Sequence, residues 1–492
     1  MGVAWTSEQV LALSPDAGCA KRGRSLASPS KWAMLGQSRR PTPSASPRAA
    51  WGECKGSGKK PYRTIIDLDV DLGGPAFRCS CPSRKFPCKH AIALFLLYTE
   101  QASSQANFTQ GEPPSWVSEW LAKREQTHKQ SKQQTAGSTA KTSLDPTEQA
   151  QIHAEQIQKA QKRLAKRDAK VASGLEDLDQ WLQDIMRRGL AELPSQPYHF
   201  WDQTAARLID AQAPGLARRV RELAGIPYAD YSAAETGGWP ERMLKALGQL
   251  HLLVQSYRRL DQLSPAMQAE VRSQIGFTQT KDDLYQRAQL SGPMADPLVH
   301  QVHDTWQVLG KVVTEEESLK TQRVWLWGME SQKAAMVLSF AHGRRQPLDA
   351  SLVTGACFDG KLIFYPGTGQ QETGYRALVT ERITVPEVCR NRTGDDRIET
   401  AIARYAQALS QNPWLFRAPL ILAQVLLRYG NDRWWLQDSE QKTLPLSPAF
   451  SQGWEILAMS GGRALAVFGE WNGETLLPLS VWSENKFMAL EA

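Results

Sequence analysis

The chain has no apolar run long enough to cross a bilayer. Its longest, Ala91 to Tyr98, falls far short of the ~20 residues that a spanning helix requires, which excludes a helical membrane protein. Cysteine is scarce and unevenly placed: seven in 492 residues, with Cys79, Cys81 and Cys88 crowded together and Cys19, Cys54, Cys357 and Cys389 scattered. An odd, clustered set argues against a secreted disulfide framework. Met1 to Ala20 also lacks the basic start and unbroken apolar stretch of a secretory leader, so the expected compartment is the cytoplasm. Catalytic motifs are missing too. There is no HExxH and no GxSxG, so nothing names a nucleophile or an open metal, and the chain reads as non-enzymatic with no small-molecule substrate. A phosphate loop fails on spacing: five residues separate Gly52 from Gly58, and Lys60 stands where Ser or Thr is required.

What the chain does have is length, moderate hydrophobicity and a lopsided charge. At ~100–200 residues per domain the length predicts about three domains, and 41% hydrophobic residues with 22% charged ones suit packed cores. Residues 1–145 carry 20 Lys and Arg against 11 Asp and Glu, net +9; the remainder carries 38 against 40, net −2. The basic excess therefore belongs to the first third.

The expected fold is α+β and multidomain. An N-terminal module, 1–126, begins with one or two short helices in Thr6 to Ala27 and includes a basic, proline-rich loop, Arg39 to Arg48. Tyr62 to Leu72 alternates like a strand with Asp67, Asp69 and Asp71 on a solvated face. A polar linker is expected over 127–144 and a helical domain over 145–315, opening with a long helix whose apolar stripe contains Ile157, Leu164, Val171, Leu178 and Ile185. Helical patterning continues to about Val313. A β-rich domain follows at 318–394, with Asp359-Gly360 as a hairpin turn, and then a C-terminal α+β region at 395–492. In that region Asp395 to Leu409 reads as a helix, Trp454 to Met459 as a strand and Asn472-Gly473 as a hairpin turn. The tryptophans of these strands, Trp325, Trp327, Trp434, Trp435, Trp454, Trp471 and Trp482, could line a binding groove, but sheet core is the favoured reading.

The informative line is Arg78-Cys79-Ser80-Cys81-Pro82-Ser83-Arg84-Lys85-Phe86-Pro87-Cys88-Lys89-His90. Zinc favours thiolate sulfur and imidazole nitrogen in a tetrahedron, and Cys79, Cys81, Cys88 and His90 supply a closed Cys3His set. At a strand end, side chains two apart point the same way, so Cys79 and Cys81 can share a metal. Cys88 should then precede a helix with His90 in its first turn, leading into the apolar run to Tyr98. Four protein ligands leave no position for water, which predicts one structural Zn2+. His300 and His303 with Asp304 have helical spacing, but are read as solvated or paired side chains rather than a second metal site. Cys54 reads as a small residue satisfied in a hairpin.

This C-x-C, gap, C-x-H pattern resembles the SWIM zinc finger. The surrounding Trp51-Gly52-Glu53-Cys54-Lys55-Gly56-Ser57-Gly58-Lys59-Lys60-Pro61-Tyr62 is similar to the bacterial branch of that family, and the resemblance covers about Ala50 to Thr99. It implies a ββα unit holding zinc through Cys79, Cys81, Cys88 and His90, and binding of DNA or of protein. Bacterial relatives further imply a partner in an AAA-type ATPase system. The residues themselves leave both partners open. Lys55, Lys59, Lys60, Arg63, Arg78, Arg84, Lys85 and Lys89 could meet phosphates while Trp51, Tyr62 or Phe86 stack on bases. The cations nearest the metal could equally offset the formal −1 charge of a Zn(Cys)3(His) centre. A protein-protein adapter is the alternative function.

Overall fold

A computed structural model of the chain describes residues 7–14, 17–38, 48–55, 61–68, 75–83, 87–100, 108–136, 146–228, 238–290, 292, 295–316, 319–342, 348–349, 351–370, 373–385, 394–483 and 486–490. The N-terminal module runs α1 (Ser7–Ala12), α2 (Ala17–Leu26), β1 (Trp32–Ser38), β2 (Ala49–Cys54), β3 (Tyr62–Asp67), β4 (Ala76–Cys79), α3 (Lys89–Thr99), β5 (Thr109–Gly111) and α4 (Ser115–Ala136). Its sheet has the order β4-β3-β2-β1-β5, antiparallel except where β5 joins β1 in parallel. One face carries α1, α2 and α3 over Trp32, Leu35, Ile66 and Phe77. The other carries α4, whose Val117 and Leu121 pack on Trp51 and Ile65. Coverage of both faces explains why the apolar run of α3 has no polar side: it lies between the sheet and the two N-terminal helices.

Two expectations change here. Asp67 is fully buried, not solvated, because its side of β3 faces α4; the carboxylate lies 3.2 Å from Nε of Arg124. Asp69 and Asp71 lie outside the described residues. Helix α4 also runs to Ala136, well into the stretch expected as linker.

The helical domain contains α5 (Pro146–Arg188), α6 (Tyr198–Asp210), α7 (Pro214–Leu223), α8 (Trp239–Arg258) and α9 (Pro265–Ile275), followed by α10 (Lys281–Gln289). Val171, Leu175, Leu178, Leu182 and Ile185 of α5 pack against Leu208, Leu216, Val220, Leu247, Leu250, Val254, Val271 and Ile275. The seven-residue stripe is therefore core from Val171 onward, whereas Leu164 remains 45% exposed.

Strand structure begins at Gln301, earlier than the helical patterning to Val313 suggested. The next sheet comprises β6 (Gln301–Glu316), β7 (Leu319–Gly328), β8 (Ala334–His342), β9 (Cys357–Phe364) and β10 (Ala377–Val385), in the order β10-β9-β6-β7-β8. Long β6 bends at a bulge between Val308 and Gly310 and pairs with β9 along its first half and with β7 over most of its length. The sheet closes where Met336 of β8 meets Arg376 in a parallel bridge and its N–H donates to the Tyr375 carbonyl at 2.6 Å. Trp306, Val308, Val324, Leu326, Ala335, Phe358, Leu362, Phe364 and Ala377 fill the interior. The first strand pairs with the second and fourth, and the third meets the fifth in parallel. This is the strand arrangement of a five-stranded Greek-key barrel of the OB type. Asp359-Gly360 makes no turn; it lies within β9. The glycine is required by close packing, since a Cβ there would sit 2.3 Å from the Glu381 carbonyl oxygen. Cys357 is disulfide-bonded, which the cysteine count did not suggest.

The last region contains α11 (Ile398–Gln411), β11 (Ala418–Gly430), β12 (Arg433–Gln437), β13 (Thr443–Pro445), α12 (Gly453–Ser460), β14 (Leu465–Trp471), β15 (Leu476–Ser483) and β16 (Lys486–Ala489), with sheet order β13-β12-β11-β14-β15-β16. The hairpin at Asn472-Gly473 is present, with Gly473 at φ +95°. Trp454 to Met459 forms helix α12 instead of a strand. This sheet covers the outside of the barrel: Leu309, Val312 and Trp325 pack on Ala466, Phe468, Leu479 and Trp482.

Within that interface Glu470, only 4% exposed, accepts two guanidinium N–H bonds of Arg323, from Nε and Nη2, at 3.0 and 3.1 Å and the Trp325 indole N–H at 2.7 Å. Elsewhere the barrel touches its other neighbours. Val353 and Ala356, in the turn before β9, pack into the N-terminal core. Trp414 enters the helical core and donates its indole N–H to the Gln249 carbonyl at 3.0 Å, while Asn412 donates to the Thr368 carbonyl at 3.1 Å. Removing Arg323 leaves the Glu470 carboxylate with the Trp325 N–H and the half-exposed Arg417, whose Nε lies 3.6 Å away, so Arg323→Ala should cost roughly 3 kcal/mol, the lower end for a broken buried pair. The double change Arg323→Met with Glu470→Leu should cost clearly less. Urea unfolding followed by tryptophan fluorescence checks this, and equal losses for the two variants would contradict it.

Candidate metal centre

The four ligands come from three pieces of local structure. Cys79 ends β4, where Thr64 of β3 is its cross-strand partner. The chain then turns through Ser80, whose N–H donates to the Arg63 carbonyl at 2.9 Å and whose Oγ accepts from the Arg63 N–H at 2.9 Å. These bonds hold the segment between Cys79 and Cys81 against the end of β3. Cys88 occupies the N-cap of α3 with extended dihedrals, φ −78° and ψ 166°, and His90 lies in the first turn.

Together Cys79, Cys81, Cys88 and His90 place their ligand atoms within 4.8 Å of one another. Nδ1 of His90 lies 3.7 Å from Sγ of Cys79 and 4.0 Å from Sγ of Cys88. A zinc tetrahedron with bonds of ~2.3 Å to sulfur and ~2.0 Å to nitrogen has edges of about 3.5–3.8 Å, so the donor set fits. Among the described residues no other Cys, His or acidic cluster has this character.

The sulfurs also need a cation. The Cys79 thiol is shifted down, first by a hydrogen bond from Cys88 and then by Thr64, whose Oγ1 lies 3.3 Å away. Cys88 is correspondingly pushed up to about 12 by donating to Cys79 and by burial. Burial raises Cys81 as well. One thiolate is thus tolerated at the expense of its neighbours. Three together require a bound divalent ion, and Zn2+ with this ligand set supplies structural cross-linking, with no coordination position left for catalysis.

The surroundings sort the other candidates. Tyr62 packs on the His90 ring at 4.8 Å between centroids, and Trp51 is buried under α4; neither is presented to a base. Lys55 donates to the Ser30 carbonyl at 3.0 Å. Arg63 pairs with Glu53 at 3.0 Å and lies over the Trp116 ring at 5.4 Å. Arg78 is exposed on β4 and Lys89 is half-buried at the start of α3. Lys59, Lys60, Arg84, Lys85 and Phe86 lie outside the described residues. Cys54 is fully buried at the end of β2, and burial raises its thiol. It takes no part in the ligand cluster. His300 and His303 do not share a helix: His303 is on β6, 3.6 Å from Asp359, and Asp304 accepts from the backbone N–H groups of Glu330 and Ser331. Thr64 was not singled out by the sequence, because its relation to Cys79 exists only through the β3–β4 register.

Residues 65–98 match the SWIM zinc finger family. The metal module is a SWIM zinc finger. Residues 166–275, from within α5 to the end of α9, match the SWIM-associated four-helix bundle domain. No curated protein and no solved structure matches the chain. Neither matched domain describes an enzyme.

The SWIM finger should carry one zinc per chain by elemental analysis. Cys88→Ser and His90→Ala should each bring this close to zero and lower the melting temperature. Thr64→Val should retain zinc at saturation but weaken its affinity by about tenfold, the usual scale for a group that supports a ligand. Chelator competition measures the difference, and unchanged affinity would remove Thr64 from the centre.

Proposed function

We propose that the chain is a non-enzymatic, zinc-stabilised protein adapter in which the SWIM finger is a scaffold element. The observation that carries this reading is the position of α3. A ββα finger that reads DNA inserts its helix into the major groove, whereas here every residue from His90 to Leu97 is buried within the module. Other surfaces suited to nucleic acid are similarly engaged. Trp51 and Tyr62 pack internally. The outer face of β7 and β8, the face with which OB-type barrels bind oligonucleotides, carries Arg323 and Trp325 into the contact with β14 and β15.

A second reading is favoured by the charge distribution. Net +9 over residues 1–145, with Arg78 exposed on β4, suits contact with DNA or RNA phosphates without reading bases. Salt separates the two. Full-length protein of verified zinc content is titrated with fluorescent single- and double-stranded DNA and RNA at several salt concentrations. The adapter reading expects nothing tighter than non-specific binding, Kd ~10⁻⁴–10⁻⁶ M at physiological salt. Tighter binding with a steep negative log-log salt slope, weakened by Arg84→Ala with Lys85→Ala while zinc stays bound, would assign the function to phosphate recognition.

A further inference from the structure

The far end of the C-terminal sheet carries three aromatic rings in contact with one another, of which Tyr429 and Trp454 are exposed and Trp434 is partly buried. Tyr429 and Trp434 are cross-strand partners in the β11–β12 hairpin, and Trp454 stands in the first turn of α12. Their ring centroids are 4.8 Å (Tyr429 to Trp434), 5.2 Å (Tyr429 to Trp454) and 4.9 Å (Trp434 to Trp454) apart, with interplanar angles of 51–77°. Trp454 is 60% exposed and Tyr429 48%. Exposed rings of this size are unusual unless a partner covers them.

The arrangement is held rigidly. Asn431 and Asp432 both take left-handed dihedrals, φ 52° and 56°, which close a two-residue type I′ turn. Gly453 allows the Trp434 indole to lie flat on the start of α12, since a Cβ there would fall 2.0 Å from Cε2 of the ring. Rings fixed in this way lose little freedom on binding.

Charge indicates what they bind. On the aromatic face Asp432 accepts from the Tyr429 hydroxyl at 3.2 Å; Glu455, which follows Trp454 on α12, is exposed and accepts from the Gln452 amide at 3.2 Å. Both hairpin cations lie on the reverse face: Arg428 pairs across the strands with Trp435, and Arg433 stacks over that same ring at 5.6 Å. A patch of indole and phenol faces edged by carboxylates attracts a cation and repels a phosphate. We propose that Tyr429, Trp434 and Trp454 form the docking site for a cationic peptide of a partner protein, with an arginine or lysine side chain laid on the rings and Asp432 and Glu455 at the rim. This rests on the adapter reading and names the chemistry of its partner.

The test uses the full chain with short fluorescein-labelled peptides carrying arginine, lysine or trimethyllysine, each paired with a neutral control in which the cation is replaced by citrulline or glutamine. Cationic peptides should bind and the neutral ones should not. Trp454→Ala, at an exposed position with zinc content and circular dichroism checked, should weaken binding by about tenfold. Asp432→Asn, which keeps a residue tolerant of the left-handed turn, combined with Glu455→Gln should weaken it by a smaller factor. No peptide binding, or binding indifferent to Trp454→Ala, would overturn the proposal while leaving the adapter reading in place. Self-association abolished by Trp454→Ala would assign the face to a second copy of the chain and overturn the cationic-peptide proposal. Single-stranded nucleic acid binding abolished by the same change would overturn the proposal and the adapter reading together.

Discussion

The carboxylate of Glu470 is the point on which the arrangement of the C-terminal half depends. Taking a carboxylate out of water costs several kcal/mol unless its oxygens are matched by donors held in place. Here the donors are the fork of Arg323 and the indole N–H of Trp325, both on β7, while Glu470 itself is on β14. The pair therefore cannot form unless the barrel and the last sheet meet in one register. Apolar contacts among Trp325, Phe468 and Leu479 supply most of the driving force. The buried charges contribute orientation, because a slipped packing of the same apolar surfaces would strand both of them.

Fixing that face decides what the barrel is for. The outer face of its strands β6 and β7 meets the last sheet, the turn before β9 meets the SWIM module, and the loop containing Thr368 meets the segment around Asn412 beside the helical domain. The outer face of β6 and β7 thus holds a neighbouring sheet. Fold analogy alone would have assigned it oligonucleotide binding, and the side chains do not support that assignment. The SWIM finger follows the same pattern. Its helix is anchored at one end by two ligands and surrounded by apolar contacts along its length, so the metal secures a core element.

What was legible in the sequence was whatever depends on near neighbours. The ligand set could be read because C-x-C and C-x-H each place two donors within a few residues, and the strand-end and helix-cap positions of Cys79 and Cys88 follow from the same spacing. The α5 stripe was legible for the same reason. Failures came where a distant segment decides the environment. Asp67 alternates like a solvated residue until α4, fifty residues later, covers that face. Asp359-Gly360 has the chemistry of a turn, yet the glycine answers to the backbone of β10. Trp454 was grouped with core tryptophans by composition; its place on a helix turned toward solvent depends on how α12 meets the β11–β12 hairpin.

These failures bear on function, because the surfaces that distant segments cover or expose are the ones that determine partners. Composition placed the binding potential in the basic first third, where the cations are. Packing places Arg63 against Glu53 and Trp116 and Lys55 against Ser30 and leaves a rigid aromatic face in the C-terminal region, within a part of the chain of slightly negative net charge. A scaffold whose zinc finger, helical bundle, barrel and last sheet are joined through buried contacts holds such a face in a fixed position relative to its other end. That property belongs to the whole assembly of described domains, because each buried contact between them fixes one domain against the next.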